Sequence, residues 1–247
     1  MKKTKIIGLV ILFIGVLFSF FFYYVFPKLH NYPAGTPQRS KVSRYYPISD
    51  DFQSENTVEV NGKLYHQIAP FSFIDQDSSI VTEKTIAGKM VVCDFFFTRC
   101  GGICPKLSKS LSRVQDRLKG EVDFMILSHT VDPAFDTPEV LKKYGETYHA
   151  DFSIWKFLTG YDQKTFYAFV TQNYFVTAMP GSEGSAEIFD HTQKLVLFDA
   201  ERVVRGYYDG TDSLAVNKLI HDMIILQIEN KKEDKLEYNP SKKHSQQ

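Results

Sequence analysis

The sequence has no excess charge of either sign. Among its 247 residues, 29 are Lys or Arg and 29 are Asp or Glu, so the formal net charge is +0. A nucleic-acid binder ordinarily carries a basic surplus, so nucleic acid is not an expected partner. Cysteine is scarce: 3 residues are too few for a scaffold stapled by disulfides. Tryptophan occurs once. No internal repeat is visible. What is present is ordinary for a folded chain, with 43% hydrophobic and 23% charged residues, and this excludes a wholly disordered protein.

The first informative feature is one long uncharged run. Residues 6–26 read IIGLVILFIGVLFSFFFYYVF. At 1.5 Å per residue a helix of this length spans roughly 30 Å, the thickness of a bilayer's hydrocarbon core. Lys2, Lys3 and Lys5 precede it, and Tyr23 and Tyr24 sit near its far end, where an aromatic belt is expected. A cleaved signal peptide would have a shorter apolar core and a small-residue cleavage site. Here the run ends in bulky aromatics, and no cysteine near its end offers a lipid attachment point. The expectation is an N-terminal membrane anchor over residues 1–26. The positive-inside rule then places a single pass in a bacterial inner (cytoplasmic) membrane, with the soluble domain facing the periplasm or outside.

Residues 27–56 are rich in Pro, Ser, Tyr and basic side chains without periodicity, and read as a stalk. Residues 230–247 (NKKEDKLEYNPSKKHSQQ) read as a disordered polar tail. Between them, residues 57–229 are the size of one domain. Strands at 57–60 and 63–68 flank Asn61-Gly62, a hairpin signal. Residues 90–98 (MVVCDFFFT) suit a strand covered on both faces. Leu107, Leu111, Val114 and Leu118 mark an amphipathic helix over 105–119, with Pro105 in its first turn. A second apolar strand follows at 121–130. A helix begins at Asp136-Thr137-Pro138, where either Asp136 or Thr137 can cap it. Then come a strand at 154–159, a helix at 162–173, a hairpin of 194–199 with 202–208, and a helix over 213–229 with Leu214, Leu219, Ile220, Met223 and Leu226 along one side. Alternating strands and helices ending in a hairpin predict an α/β, thioredoxin-like domain: a mixed central sheet flanked by helices.

The chemistry lies where the first central strand meets its helix. Cys100-Gly101-Gly102-Ile103-Cys104-Pro105 occupies that junction. Ligands bind at the carboxyl ends of parallel strands. A helix amino terminus offers unpaired N–H groups that favour thiolate over thiol. The two glycines are expected to let the loop turn tightly, bringing both sulfurs to one side. Such a pair can form a disulfide or bind a soft metal. Cys93, inside the strand, reads as a core residue.

A soft-metal site needs a further ligand, and imidazole is the usual partner of thiolates. Of 7 histidines, His30 and His244 fall in stalk and tail, His66 in the first hairpin, and His149 and His221 in helices. Two candidates remain. His191 precedes the strand at 194–199, and the loop entering that strand faces the motif in a thioredoxin-like sheet. His129 ends the second apolar strand, near the same rim. Fold position alone leaves both open.

The stretch Phe96-Phe97-Thr98-Arg99-Cys100-Gly101-Gly102-Ile103-Cys104-Pro105 resembles the Sco/SenC family of copper-binding assembly proteins for cytochrome c oxidase. Thr130-Val131-Asp132-Pro133-Ala134-Phe135-Asp136-Thr137-Pro138 is similar to that family's second signature. Asp190-His191-Thr192, followed by Tyr208-Asp209-Gly210-Thr211, is similar to its third. The resemblance implies one copper ion, Cu(I) or Cu(II), held by Cys100, Cys104 and His191. It also implies a membrane-tethered domain that serves the copper-bearing subunit of cytochrome c oxidase, by delivering copper or by reducing that subunit's cysteines. Another copper chaperone or a thioredoxin-like reductase would be a further partner. Where the family commonly has Pro-Asp or similar residues, this chain has Gly101-Gly102. His129 then reads as a surface residue or an auxiliary ligand.

Three functional classes follow from this site. The first is a copper chaperone without turnover. The second is a thiol–disulfide oxidoreductase with Cys100 and Cys104 as its redox pair. Its cysteines have three intervening residues, and Arg99 stands where a thioredoxin motif has tryptophan. The third is a peroxiredoxin-like peroxidase, whose threonine stands three residues before the reactive cysteine, whereas Thr98 is two before Cys100. Zinc is a competitor for two thiolates and an imidazole.

Overall fold

The computed structural model describes residues 42–49, 53–176 and 193–237, all within one unit, Lys41–Gln247. The run at 6–26 lies outside the described residues. Among the described residues no helix is long and apolar enough to cross a membrane.

Among the described residues, nine strands and four helices follow in the order β1 (Thr57–Val60), β2 (Lys63–His66), β3 (Ser72–Asp75), β4 (Ile80–Thr82), β5 (Met90–Phe96), α1 (Cys104–Leu118), β6 (Phe124–Thr130), α2 (Pro138–Thr147), β7 (Trp155–Thr159), α3 (Gln163–Tyr174), β8 (Lys194–Phe198), β9 (Val204–Asp209) and α4 (Ser213–Glu237). β1 and β2 form a separate antiparallel hairpin. Asn61 and Gly62 turn it with φ of 52° and 74°, the left-handed pair that a two-residue hairpin turn requires.

The main sheet has 7 strands in the order β4-β3-β7-β6-β5-β8-β9. β5, β6 and β7 run parallel, and β8, β9, β3 and β4 add antiparallel pairs on either side. Every residue of β5 and β6 is buried. Alternation sends Met90, Val92 and Phe96 to one face, and Val91, Cys93 and Phe95 to the other. The first face packs Leu107, Leu111, Val114 and Leu118 of α1, with Val216, Leu219, Ile220, Met223 and Leu226 of α4. The second face packs Phe166, Tyr167 and Val170 of α3.

Several expectations need correction. β3 and β4 were not foreseen, because each is only a few residues long and bounded by loop-like sequence. α4 continues to Glu237, beyond the expected start of the polar tail, since Lys and Glu are good helix formers. Leu214 is exposed and Val216 takes its place in the core. The expected stalk is also shorter. Val42 is buried, and the Arg205 guanidinium donates to the Val42 carbonyl at 2.5 Å and the Ser43 carbonyl at 3.1 Å while pairing with Asp199 at 3.0 Å. Tyr45 N–H donates to the Val204 carbonyl at 2.9 Å, and Pro47 bridges to Tyr65. Residues 42–48 therefore dock on the domain.

Gly145 of α2 tests the packing between α2 and β7. A Cβ there would lie 2.6 Å from the Phe152 ring and 2.7 Å from the Phe157 ring. Glycine-to-alanine inside a helix ordinarily gains about 1 kcal/mol. Here Gly145→Ala is expected to lose on the order of 1–3 kcal/mol through overpacking, measured by urea unfolding. A gain in stability would contradict the packing.

Candidate metal centre

β5 leaves the sheet after Phe96, and the chain turns through Phe97–Ile103 before α1 begins at Cys104. Cys100 N–H donates to the Phe97 carbonyl at 3.1 Å, which closes the turn. Ile103 occupies the N-cap position without a side-chain hydrogen bond, and Pro105 sits in the first turn. The free amides at this terminus are therefore available to Cys100.

The two motif thiols have opposite character. Cys100 is half-buried and Cys104 is buried. Burial pushes Cys100 upward, but the Cys104 side chain and the backbone N–H groups of Cys104, Gly102 and Ile103 outweigh it, holding this thiol below its ordinary range. Cys104 is pushed well above the ordinary range by burial, then by the neighbouring Cys100 and by Asp94. Cys104 sits in the core with Leu107, and Cys100 packs against the same cluster. The glycines act differently from the expectation. Neither Gly101 nor Gly102 has positive φ, and an added Cβ at either would meet nothing within 4 Å. The turn is closed by backbone hydrogen bonding and does not require glycine.

The loop between β6 and α2 lies against this turn. Asp132 pairs with Arg99 at 2.5 Å, and the Arg99 guanidinium lies 4.2 Å from the centre of the Phe135 ring. The second motif of the sequence thus sits directly on the first.

His191 lies outside the described residues. The chain is described again at Gln193, whose carbonyl accepts from Gly210 N–H at 2.7 Å and whose side chain donates to Asp209 at 3.0 Å. Gly210 is pressed against α1, since a Cβ there would lie 2.5 Å from Leu107. Gln193 is thus anchored beside the helix that begins at Cys104. Among the described residues, no three His, Cys, Asp or Glu side chains gather in a metal-binding cluster.

His129 is neither a surface residue nor placed to be an auxiliary ligand. It is completely buried among Phe73, Phe95 and Phe166, with Nε2 3.2 Å from the Tyr174 hydroxyl. These aromatics belong to the opposite face of the sheet from Cys104. Burial lowers its pKa to about 3, so the ring is neutral. Cys93 is on the same face as these aromatics, and burial pushes its thiol far up.

Asp94 was not singled out by sequence, although an acid inside MVVCDFF is a visible signal. It is buried, and neither carboxylate oxygen finds a hydrogen-bond partner among the described residues. Burial raises its pKa to about 7. It lies on β5 between Val92 and Phe96, on the face that carries Cys104.

These environments order the three thiols. Alkylation of the reduced chain is expected to be fastest at Cys100, with a midpoint below the free-thiol value of about 8.5. Cys104 should react more slowly, and Cys93 only as the core opens. Mass-resolved labelling against pH measures this. Fastest reaction at Cys93 or Cys104 would contradict the geometry.

Comparison with known proteins gives the same outline. A family model described as SCO1/SenC matches residues 61–224. The SCO1 protein homolog of Bacillus subtilis (strain 168) is 31% identical over 166 residues, covering 67% of this chain and 85% of that protein. The solved structure of BsSco, described as a Sco-family cytochrome c oxidase assembly protein with a disulfide switch, is 30% identical with a TM-score of 0.58, covering 65% of this chain and 93% of that one. ScoI of Arabidopsis thaliana, solved with copper bound, is 25% identical with a TM-score of 0.51, covering 62% of this chain and 96% of that one. On the matched family model and the Bacillus subtilis relative, the chain belongs to the SCO1/SenC family.

Proposed function

We propose that this chain is a membrane-anchored copper-binding protein that assists assembly of the binuclear copper centre of cytochrome c oxidase. The observation that carries the reading is the thiol pair at the amino end of α1. One thiolate is favoured there by helix amides, with a second thiol at its side. Two sulfur donors suit Cu(I), and adding an imidazole and a weak fourth donor suits Cu(II). His191 is the proposed third ligand. Its support is the family motif and the anchoring of Gln193, two residues on, beside Leu107 of α1. Two residues of chain reach at most about 7 Å.

The uncharged run at 6–26 and the lysines before it support an anchor in the inner membrane with the domain outside. A tether suits a protein whose client is embedded in the same membrane. The client is the oxidase subunit that carries the copper centre. A copper donor or a thioredoxin-like reductase would serve to reload or reduce the thiol pair.

A second reading is a thiol–disulfide oxidoreductase. The asymmetry of the pair favours it, because an accessible low-pKa thiol beside a buried high-pKa one is the arrangement of an attacking and a resolving cysteine. The relative BsSco is described as having a disulfide switch.

The two readings separate at His191. Copper held by three ligands needs the imidazole, whereas disulfide exchange needs only the sulfurs. His191→Ala is expected to weaken copper binding by more than about 100-fold, the upper end of what loss of even an outer partner costs at a metal site. The Cys100–Cys104 disulfide should still form. Copper competition titration beside thiol counts on the same samples checks both. Unchanged copper affinity would remove His191 from the ligand set and favour the oxidoreductase.

A further inference from the structure

Two residues before Cys100, Thr98 is tied to a carboxylate from elsewhere in the chain. Asp136 stands at the end of the loop between β6 and α2 and is completely buried. One of its oxygens accepts from the Thr98 hydroxyl at 2.5 Å. The other accepts from Thr98 N–H at 3.1 Å and from the Thr130 hydroxyl at the end of β6. Its position before a helix suggests a cap, yet the cap of α2 is Thr137, whose side chain accepts from Val140 N–H. The bonds of the Asp136 carboxylate go instead to Thr98 and Thr130.

The need for such an acceptor follows from the sheet. β5 stays in register with β6 through Phe96, whose carbonyl accepts from Val131 N–H at 2.8 Å. Beyond Phe96 the chain leaves the ladder, and the Thr98 N–H has lost its strand partner. Thr98 is half-buried, and a donor left unpaired away from water costs up to about 1–3 kcal/mol. A buried carboxylate is itself expensive unless several donors satisfy it. Asp136 and Thr98 solve both problems together. Thr130 extends the link, because its hydroxyl also accepts from Asp132 N–H at 3.0 Å, and Asp132 holds Arg99. Thr98 and Arg99, the two residues leading into Cys100, are therefore both held by the β6–α2 loop.

We infer that Asp136 is a positioning residue: through Thr98 it fixes the departure of the Cys100–Cys104 turn from β5, and so the placement of the two sulfurs relative to each other. It touches no metal. The inference rests on the reading of this turn as the working site, and it adds a residue to that site which neither sulfur chemistry nor ligand spacing would nominate. Holding ligand groups to within about 0.5 Å requires such support from outside the ligand set.

The test uses the full chain and two readouts: the equilibrium constant for Cys100–Cys104 disulfide formation without metal, and copper affinity by chelator competition. In Asp136→Ala the sulfurs lose their fixed approach. The disulfide equilibrium constant should fall about tenfold, a rise of about 30 mV in potential, and copper affinity should fall at least about tenfold. Asp136→Asn keeps an acceptor for Thr98 N–H and should lie within about threefold of the unaltered chain. Thr98→Val keeps the volume, removes only the hydroxyl bond, and should fall between; it decides the matter where Asp136→Ala does not fold. Lower thermal stability with both readouts unchanged in Asp136→Ala, or in Thr98→Val where that variant alone folds, would overturn the inference. If the unaltered chain binds no copper while the disulfide equilibrium still shifts, the positioning role stands and the copper reading fails. If the unaltered chain binds copper and the variants match it in both readouts, the copper reading stands and the positioning role fails.

Discussion

The structure depends on one meeting of groups: the free amides at the amino end of α1 and the sulfur of Cys100. An apolar strand must end there, a helix must begin there without a side-chain cap, and a thiol must stand between them. Burial alone would raise both motif thiols. The Cys104 side chain and the amides of Cys104, Gly102 and Ile103 reverse that for Cys100, while Cys104, the buried first residue of the helix, stays high through burial. The difference between the sulfurs comes from their position on the helix terminus, and the rest of the molecule maintains that position.

Three parts of the fold do so. β5, buried on both faces, brings the chain to the rim of the sheet with its register to β6 fixed from Met90 to Phe96. The β6–α2 loop grips the departing chain through Thr98 and Arg99. The β8–β9 end closes the third side, because Gly210 allows its strand end to sit against Leu107. The sheet itself divides the chemistry. Cys104 and Asp94 belong to one face, and Cys93, His129 and Tyr174 to the other.

Much of this was legible in the sequence, for physical reasons that also mark where legibility stopped. β5, β6 and α1 were evident because buried central elements need continuous or periodic apolar residues. Asn61-Gly62 announced its hairpin. β3 and β4 were missed, being short strands at the sheet's edge. The docked residues after Val42 were hidden because their anchor, Arg205, lies far along the chain and binds backbone carbonyls, which carry no sequence signal. At the site, the two cysteines stood out because they flank the junction where an apolar strand gives way to an amphipathic helix. His129 was misjudged because a strand-end histidine reads as exposed, whereas here a cage of aromatics keeps it neutral. Asp136 was read as a capping candidate, since its contact with Thr98 spans 38 residues.

The central claim is that Cys100, Cys104 and a histidine together hold one copper ion. X-ray absorption on the copper-loaded full chain tests it most directly, because sulfur and nitrogen scatter at different distances from the metal. The account predicts one copper per chain with two sulfur neighbours and at least one imidazole nitrogen. A copper shell without sulfur, or one of sulfur alone in every oxidation state, would contradict it.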